Sequence, residues 1–95
     1  MIDQNLFIFP SNSTLENLTD EIVHRLRIHF SNGYQLSIIR GGFSYGAEEG
    51  LYEICPFNKN GIMDGSILNI EGDDVQGGLS VPEVQEIINL MEAKL

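Results

Sequence analysis

The sequence predicts a small α+β domain. In it, two amphipathic helices cover a largely antiparallel sheet of three or four strands in a two-layer sandwich, with element order β-α-β-β-β-α. Three observations carry this expectation. The chain has 95 residues, room for one hydrophobic core, so residues 1–95 are read as a single domain. Apolar residues make up 42% and charged residues 20%, the balance of a folded rather than a disordered chain. Two stretches repeat apolar residues at helical spacing, and shorter runs rich in strand formers lie between breaker residues.

Leu6-Phe7-Ile8-Phe9, stopped by Pro10, reads as a first strand or an extended arm. Ser13 and Glu16 then have the spacing of a capping box. Leu15, Leu18, Ile22, Leu26 and Phe30 follow at intervals of three and four, which predicts a helix from about Thr14 to Phe30. Asp20 and Glu21 come early in it and His24, Arg25, Arg27 and His29 late, an order that complements the helix dipole. Ser31-Asn32-Gly33 supplies its stop.

Tyr34 to Ile39 alternates and reads as a strand. Arg40 to Gly50 holds Gly41, Gly42, Gly46 and Gly50 and reads as a loop or wide hairpin connection. Leu51 to Cys55 is the next strand, closed by Pro56. Asn58-Lys59-Asn60-Gly61 signals a turn, Asn-Gly favouring type I′ geometry. Ser66 to Ile70 is expected as a third strand, and Val75, between glycines, as part of a short or bulged edge strand. Ser80 and Glu83 form a second capping-box pattern with Pro82 in the first turn, opening a terminal helix with the stripe Val84, Ile87, Ile88, Met91 and Leu95.

Composition removes several function classes. Fourteen acidic residues against five Lys and Arg give a net charge of -9, which excludes a generic DNA- or RNA-binding module, because phosphate contacts need cations. A single cysteine forms no internal disulfide and no Cys-rich zinc site. No apolar run approaches bilayer length, and Met1-Ile2-Asp3-Gln4 carries no basic segment of the kind that opens a signal peptide. A cytoplasmic protein without membrane contact is therefore expected.

No catalytic, metal or cofactor site is expected. His24 and His29 are five apart, not the three or four that places two imidazoles on one helical face. The segment around Asn58 to Gly61 fails as a calcium loop, with Pro56 and Ile67 where acids are required. Cys55 ends a strand and reads as a small core residue; a thiol nucleophile would need a histidine brought from the first helix. Glu48-Glu49 and Asp73-Asp74 are adjacent pairs, whose side chains point in different directions rather than at one substrate atom. Gly41, Gly42 and Gly46 do not match a phosphate-binding fingerprint. The glycosylation sequons at Asn12 and Asn17 are read as chance.

The distribution of charge is the clearest physical signal. Residues 1–40 carry four acids and three bases, and residues 41–95 ten acids and two bases. Solubility is one reading of that excess. The sharper one is a surface that docks onto a basic or nucleic-acid-binding protein. Candidate partner-binding residues are Glu48, Glu49, Asp73 and Asp74, together with Phe43 and Tyr45, which either pack under the Gly-rich loop or anchor the partner. A homodimer through an edge strand or helix face is a further option.

Ile38 to Gly46, with its Gly-Phe-Ser-Tyr-Gly core, and Glu49-Gly50-Leu51-Tyr52-Glu53-Ile54 resemble small bacteriophage and prophage accessory proteins. Asp74-Val75-Gln76-Gly77-Gly78-Leu79, followed by Ser80 to Glu83, is similar to their next segment and departs from it in carrying Gly at both 77 and 78. The resemblance covers roughly residues 36–95 and leaves the predicted first helix outside it. That family has no established biochemical function, so it assigns no catalytic residue; it implies a bacterial cytosol during phage infection or lysogeny. The expected function is a non-catalytic, acidic protein-interaction module of this type, binding and modulating a host or phage protein. The alternatives are an immunity or antidote protein that neutralises a basic toxin or nuclease, and a small enzyme built on Cys55 or a carboxylate pair.

Overall fold

The computed structural model describes residues 2–41 and 50–95. They form an α+β fold: a five-stranded antiparallel meander with one helix on one face. The strands are β1 (Thr14–Asn17), β2 (His24–His29), β3 (Gln35–Arg40), β4 (Tyr52–Phe57) and β5 (Gln76–Leu79), in spatial order β1-β2-β3-β4-β5; the helix is α1 (Val81–Glu92). Two short 3-10 helices, Gln4–Leu6 and Gly65–Leu68, also lie among the described residues.

The first predicted helix is instead the β1–β2 hairpin. The same segment also contains the period-two set Leu26, Ile28 and Phe30, and that pattern places the buried groups. Local polar chemistry favours the turn. Asp20 Oδ1 accepts from the backbone N–H of Ile22 and of Val23, both at 2.8 Å, and Asp20 N–H donates to the Val23 carbonyl at 3.0 Å. Thr19 Oγ1 accepts from Arg25 N–H, and Asn17 Oδ1 accepts from Thr19 N–H. Leu18 and Ile22, expected on a buried stripe, are exposed at this tip. Ser13 does not cap a helix: its hydroxyl donates to the Pro10 carbonyl at 2.6 Å, while Glu16 turns to His29.

Residues 6–9 form no strand. Leu6 ends the first 3-10 helix, and residues 7–9 run on as an arm held by Gln85 of α1. Ile8 N–H donates to Gln85 Oε1 at 2.7 Å and Gln85 Nε2 donates to the Ile8 carbonyl at 2.8 Å, so one side chain satisfies both backbone groups as a neighbouring strand would. Phe7 is thereby set edge-on to Tyr52, with ring centroids 5.6 Å apart.

Pro56 does not close β4 but lies within it, paired with Leu36 of β3. Its carbonyl accepts from Asp64 N–H at 3.0 Å, on the side away from β3. A residue's N–H and carbonyl point to the same side of a strand, so the donor that proline lacks is not one the β3 ladder uses. The segment expected as a third strand is the second 3-10 helix. Asp64 caps it by accepting from Ser66 N–H, and Asn69 ends it in the left-handed region at φ 57°. Gly61 has φ 75° while Asn60 does not share a positive φ, so the Asn58–Gly61 turn is not type I′ but a type I turn followed by a glycine bulge. A bulged edge strand is present, but it begins at Gln76 and leaves Val75 outside: Tyr52 pairs with Leu79 and Ile54 with Gln76, so one extra residue lies in β5 at the Gly77–Gly78 step.

The terminal helix opens on the expected capping box, with Glu83 N–H donating to the Ser80 hydroxyl and Ser80 N–H donating to the Glu83 carboxylate at 3.0 Å. Val84, Ile88 and Met91 are fully buried against Leu26, Ile28, Leu36, Ile38 and Ile54 of the sheet. Each such side chain stabilises the fold by about 1.5–3 kcal/mol. Leu95 lies beyond the helix end and is fully exposed, so it is not part of the stripe.

Candidate functional site

Because α1 covers one face of the sheet, the other face is open. Strand register decides what stands there. Arg27 pairs with Ser37 and Ser37 with Cys55; Arg25 pairs with Ile39 and Ile39 with Glu53; His29 pairs with Gln35 and Gln35 with Phe57. Directly paired residues share a face. These three cross-strand rows therefore make one surface, with a groove of about 250 Å³ at its centre. Ser37, Ile39 and Cys55 form its floor and Phe57, Met63 and Val75 its far side, while Arg25 and Arg27 line it from β2.

Arg27 reaches across the small Ser37 and lays its guanidinium over the Phe57 ring, 4.1 Å from the centroid. The Nε atoms of Arg25 and Arg27 are buried and have no hydrogen-bond partner among the described residues. Beside them, His29 Nε2 lies 3.0 Å from the Glu16 carboxylate. The two histidines do not meet as metal ligands: by strand parity His24 faces the other side of the sheet from His29. Among the described residues no group of three or more His, Cys, Asp or Glu is arranged to hold a metal ion.

Cys55 is 2% exposed. Burial, reinforced by the negative charge of Asp74, pushes its thiol up to about 11, so it is held protonated at neutral pH. That is the opposite of an activated nucleophile.

The acidic residues converge beyond β4. Asp64 caps the 3-10 helix that Gly65 begins. Asp74 Oδ1 accepts from Gly65 N–H at 2.9 Å, and Asp73 Oδ1 accepts from Asp74 N–H at 2.7 Å. The chain passes so closely that a Cβ on Gly65 would sit 2.3 Å from the Asp73 carbonyl oxygen. Burial together with the charge of Asp73 raises the pKa of Glu53 above its ordinary value. Elsewhere carboxylates are stabilised by local donors: the N–H groups of Val23 and Ile22 lower the pKa of Asp20, and Ser80 lowers that of Glu83.

The cations do not neutralise this corner. Arg27, Arg40 and Lys59 lie over the rings of Phe57, Tyr52 and Tyr34, and among the described residues no Lys or Arg is within ion-pair distance of a carboxylate.

Of the expected partner-binding residues, Asp73 and Asp74 are exposed within this acidic corner, each with one oxygen engaged by backbone. Phe43, Tyr45, Glu48 and Glu49 lie outside the described residues. Sequence reasoning missed the Arg25–Arg27 pair. Its signal was the alternation His24-Arg25-Leu26-Arg27-Ile28-His29, which as a strand places both arginines on one face.

Comparison with known proteins finds no matching family model, no similar curated protein and no similar solved structure. No helix among the described residues is long and apolar enough to cross a membrane.

Proposed function

We propose that the protein is a non-catalytic, acidic protein-interaction module that binds and modulates a host or phage protein through the corner formed by Glu53, Asp64, Asp73 and Asp74. The observation that supports this reading is convergence: Asp64, Asp73 and Asp74 meet around Gly65 and Glu53 feels the charge of Asp73, with no Lys or Arg counter-ion among the described residues. Such a field attracts a cationic surface and repels phosphate. The protonated, buried Cys55 favours binding over thiol chemistry. The phage or prophage setting, in the bacterial cytosol, rests on the resemblance of residues 36–95 alone.

The test is capture from host lysate by the wild-type protein and by a variant combining Glu53→Gln, Asp64→Asn, Asp73→Asn and Asp74→Asn. Asn retains the side-chain oxygen that accepts from Gly65 N–H, so the fold is kept while the charge is removed. The expected result is a basic protein held by the wild type at low salt, released as salt rises and not held by the variant. Equal capture by both proteins at every salt concentration contradicts the reading. If the captured protein is a toxin and co-expression restores growth, the module acts as an antidote.

A further inference from the structure

We propose that Arg25 and Arg27 form a carboxylate-binding subsite in the groove on the open face of the sheet, for a ligand whose terminal carboxylate carries a small aliphatic body. The two residues occupy alternate positions of β2, so they project from one face roughly 7 Å apart. Both line the groove, and both have a buried Nε–H with no acceptor among the described residues. A buried donor without a partner is costly, and a carboxylate is the acceptor a guanidinium matches best. The stack on Phe57 holds the Arg27 guanidinium in place before any ligand arrives.

The remaining lining decides the ligand class. Ile39, Met63 and Val75 offer apolar contact, not further charge. A volume of about 250 Å³ is the liquid share of about eight waters, so it suits a ligand of on the order of eight non-hydrogen atoms. A polyanion is disfavoured because the chain's net charge of -9 repels each added phosphate, whereas a single carboxylate adds one charge beside two guanidinium groups. Two sources present this chemistry: a free aliphatic acid, and the C-terminal residue of a peptide. The subsite uses none of the acidic-corner residues, so it stands or falls separately from the proposed function.

The experiment follows the side-chain Nε–Hε resonances of isotope-labelled arginine in the whole chain. The probes are isocaproate, acetyl-Gly-Gly-Leu with a free carboxylate, and the same peptide as its C-terminal amide. Saturable shifts of Arg25 and Arg27, with Arg40 unmoved and the amide inert, are expected. Response to isocaproate identifies the free acid as sufficient, and response to the peptide alone identifies a chain terminus; either supports the subsite. Arg27→Gln should weaken binding by at least about tenfold. Arg25→Lys, which keeps the charge and leaves the Phe57 stack untouched, should weaken it too because Nε is removed. No saturable shift with either carboxylate, or an equal shift with the amide, overturns the proposal.

Discussion

Asn32, in the turn between β2 and β3, donates from its side-chain amide to the carbonyl of Met91 in the last turn of α1, at 2.9 Å. The same nitrogen lies 3.3 Å from the Glu92 carbonyl and 3.0 Å from that of Lys94, while Asn32 Oδ1 accepts from Tyr34 N–H at 3.1 Å. Carbonyls at the helix C-terminus thus gain a donor from the sheet layer. Asn32→Asp keeps the acceptor for Tyr34 but removes the donor and sets a negative charge against the helix C-terminus. Loss of about 1–3 kcal/mol is expected. A urea titration checks it through a lower midpoint at unchanged slope.

Gly65 is required by proximity rather than by backbone angle. A Cβ there would lie 2.3 Å from the Asp73 carbonyl oxygen and 2.9 Å from the Asp74 Cα. Gly65→Ala should therefore displace the chain before β5 and destabilise by about 3 kcal/mol or more. Gly72, at φ 73° with nothing within 4 Å, is the contrast: Gly72→Ala meets only backbone strain, about 1–2 kcal/mol. Thermal unfolding of the two variants checks the order.

Cys55 gives a pH signature. Its thiol titrates near 11 in the folded chain against an ordinary 9.0. Between those values the unfolded chain has released the proton and the folded chain still holds it. The contribution of Cys55 to stability is thus fully present below pH 9.0 and falls as pH rises toward 11. Denaturant titrations of the wild type and Cys55→Ala across this window should show a steeper decline in the wild type. In the native protein the thiol should also react slowly with a disulfide reagent at neutral pH and rapidly once unfolded.

Much of the fold was legible where local signals agreed with tertiary demand. The Ser80–Glu83 box, the Val84–Ile88–Met91 stripe and the strand through Leu36 and Ile38 follow directly from spacing. The Thr14–Phe30 segment was misread because its apolar residues satisfy two periods at once. What resolves the ambiguity is cross-strand pairing, Leu15 with Ile28 and Leu26 with Ile38, which a single segment does not display. That misreading also hid the Arg25–Arg27 pair, since residues two apart on a helix do not face together. Pro56 looked like a strand end because its carbonyl partner, Asp64, lies eight residues downstream. The roles of Asp73 and Asp74 likewise depend on the approach to Gly65, a contact without sequence signature.

Convergence of negative charge beyond β4 is the central claim, and the Glu53 carboxyl reports on it most directly. Its titration by carbon NMR in the wild type should lie above the ordinary value of 4.5 and move down in Asp73→Asn, as one of the two causes of the shift is removed. A Glu53 that titrates at or below 4.5, and is indifferent to the charge at Asp73, would contradict the account.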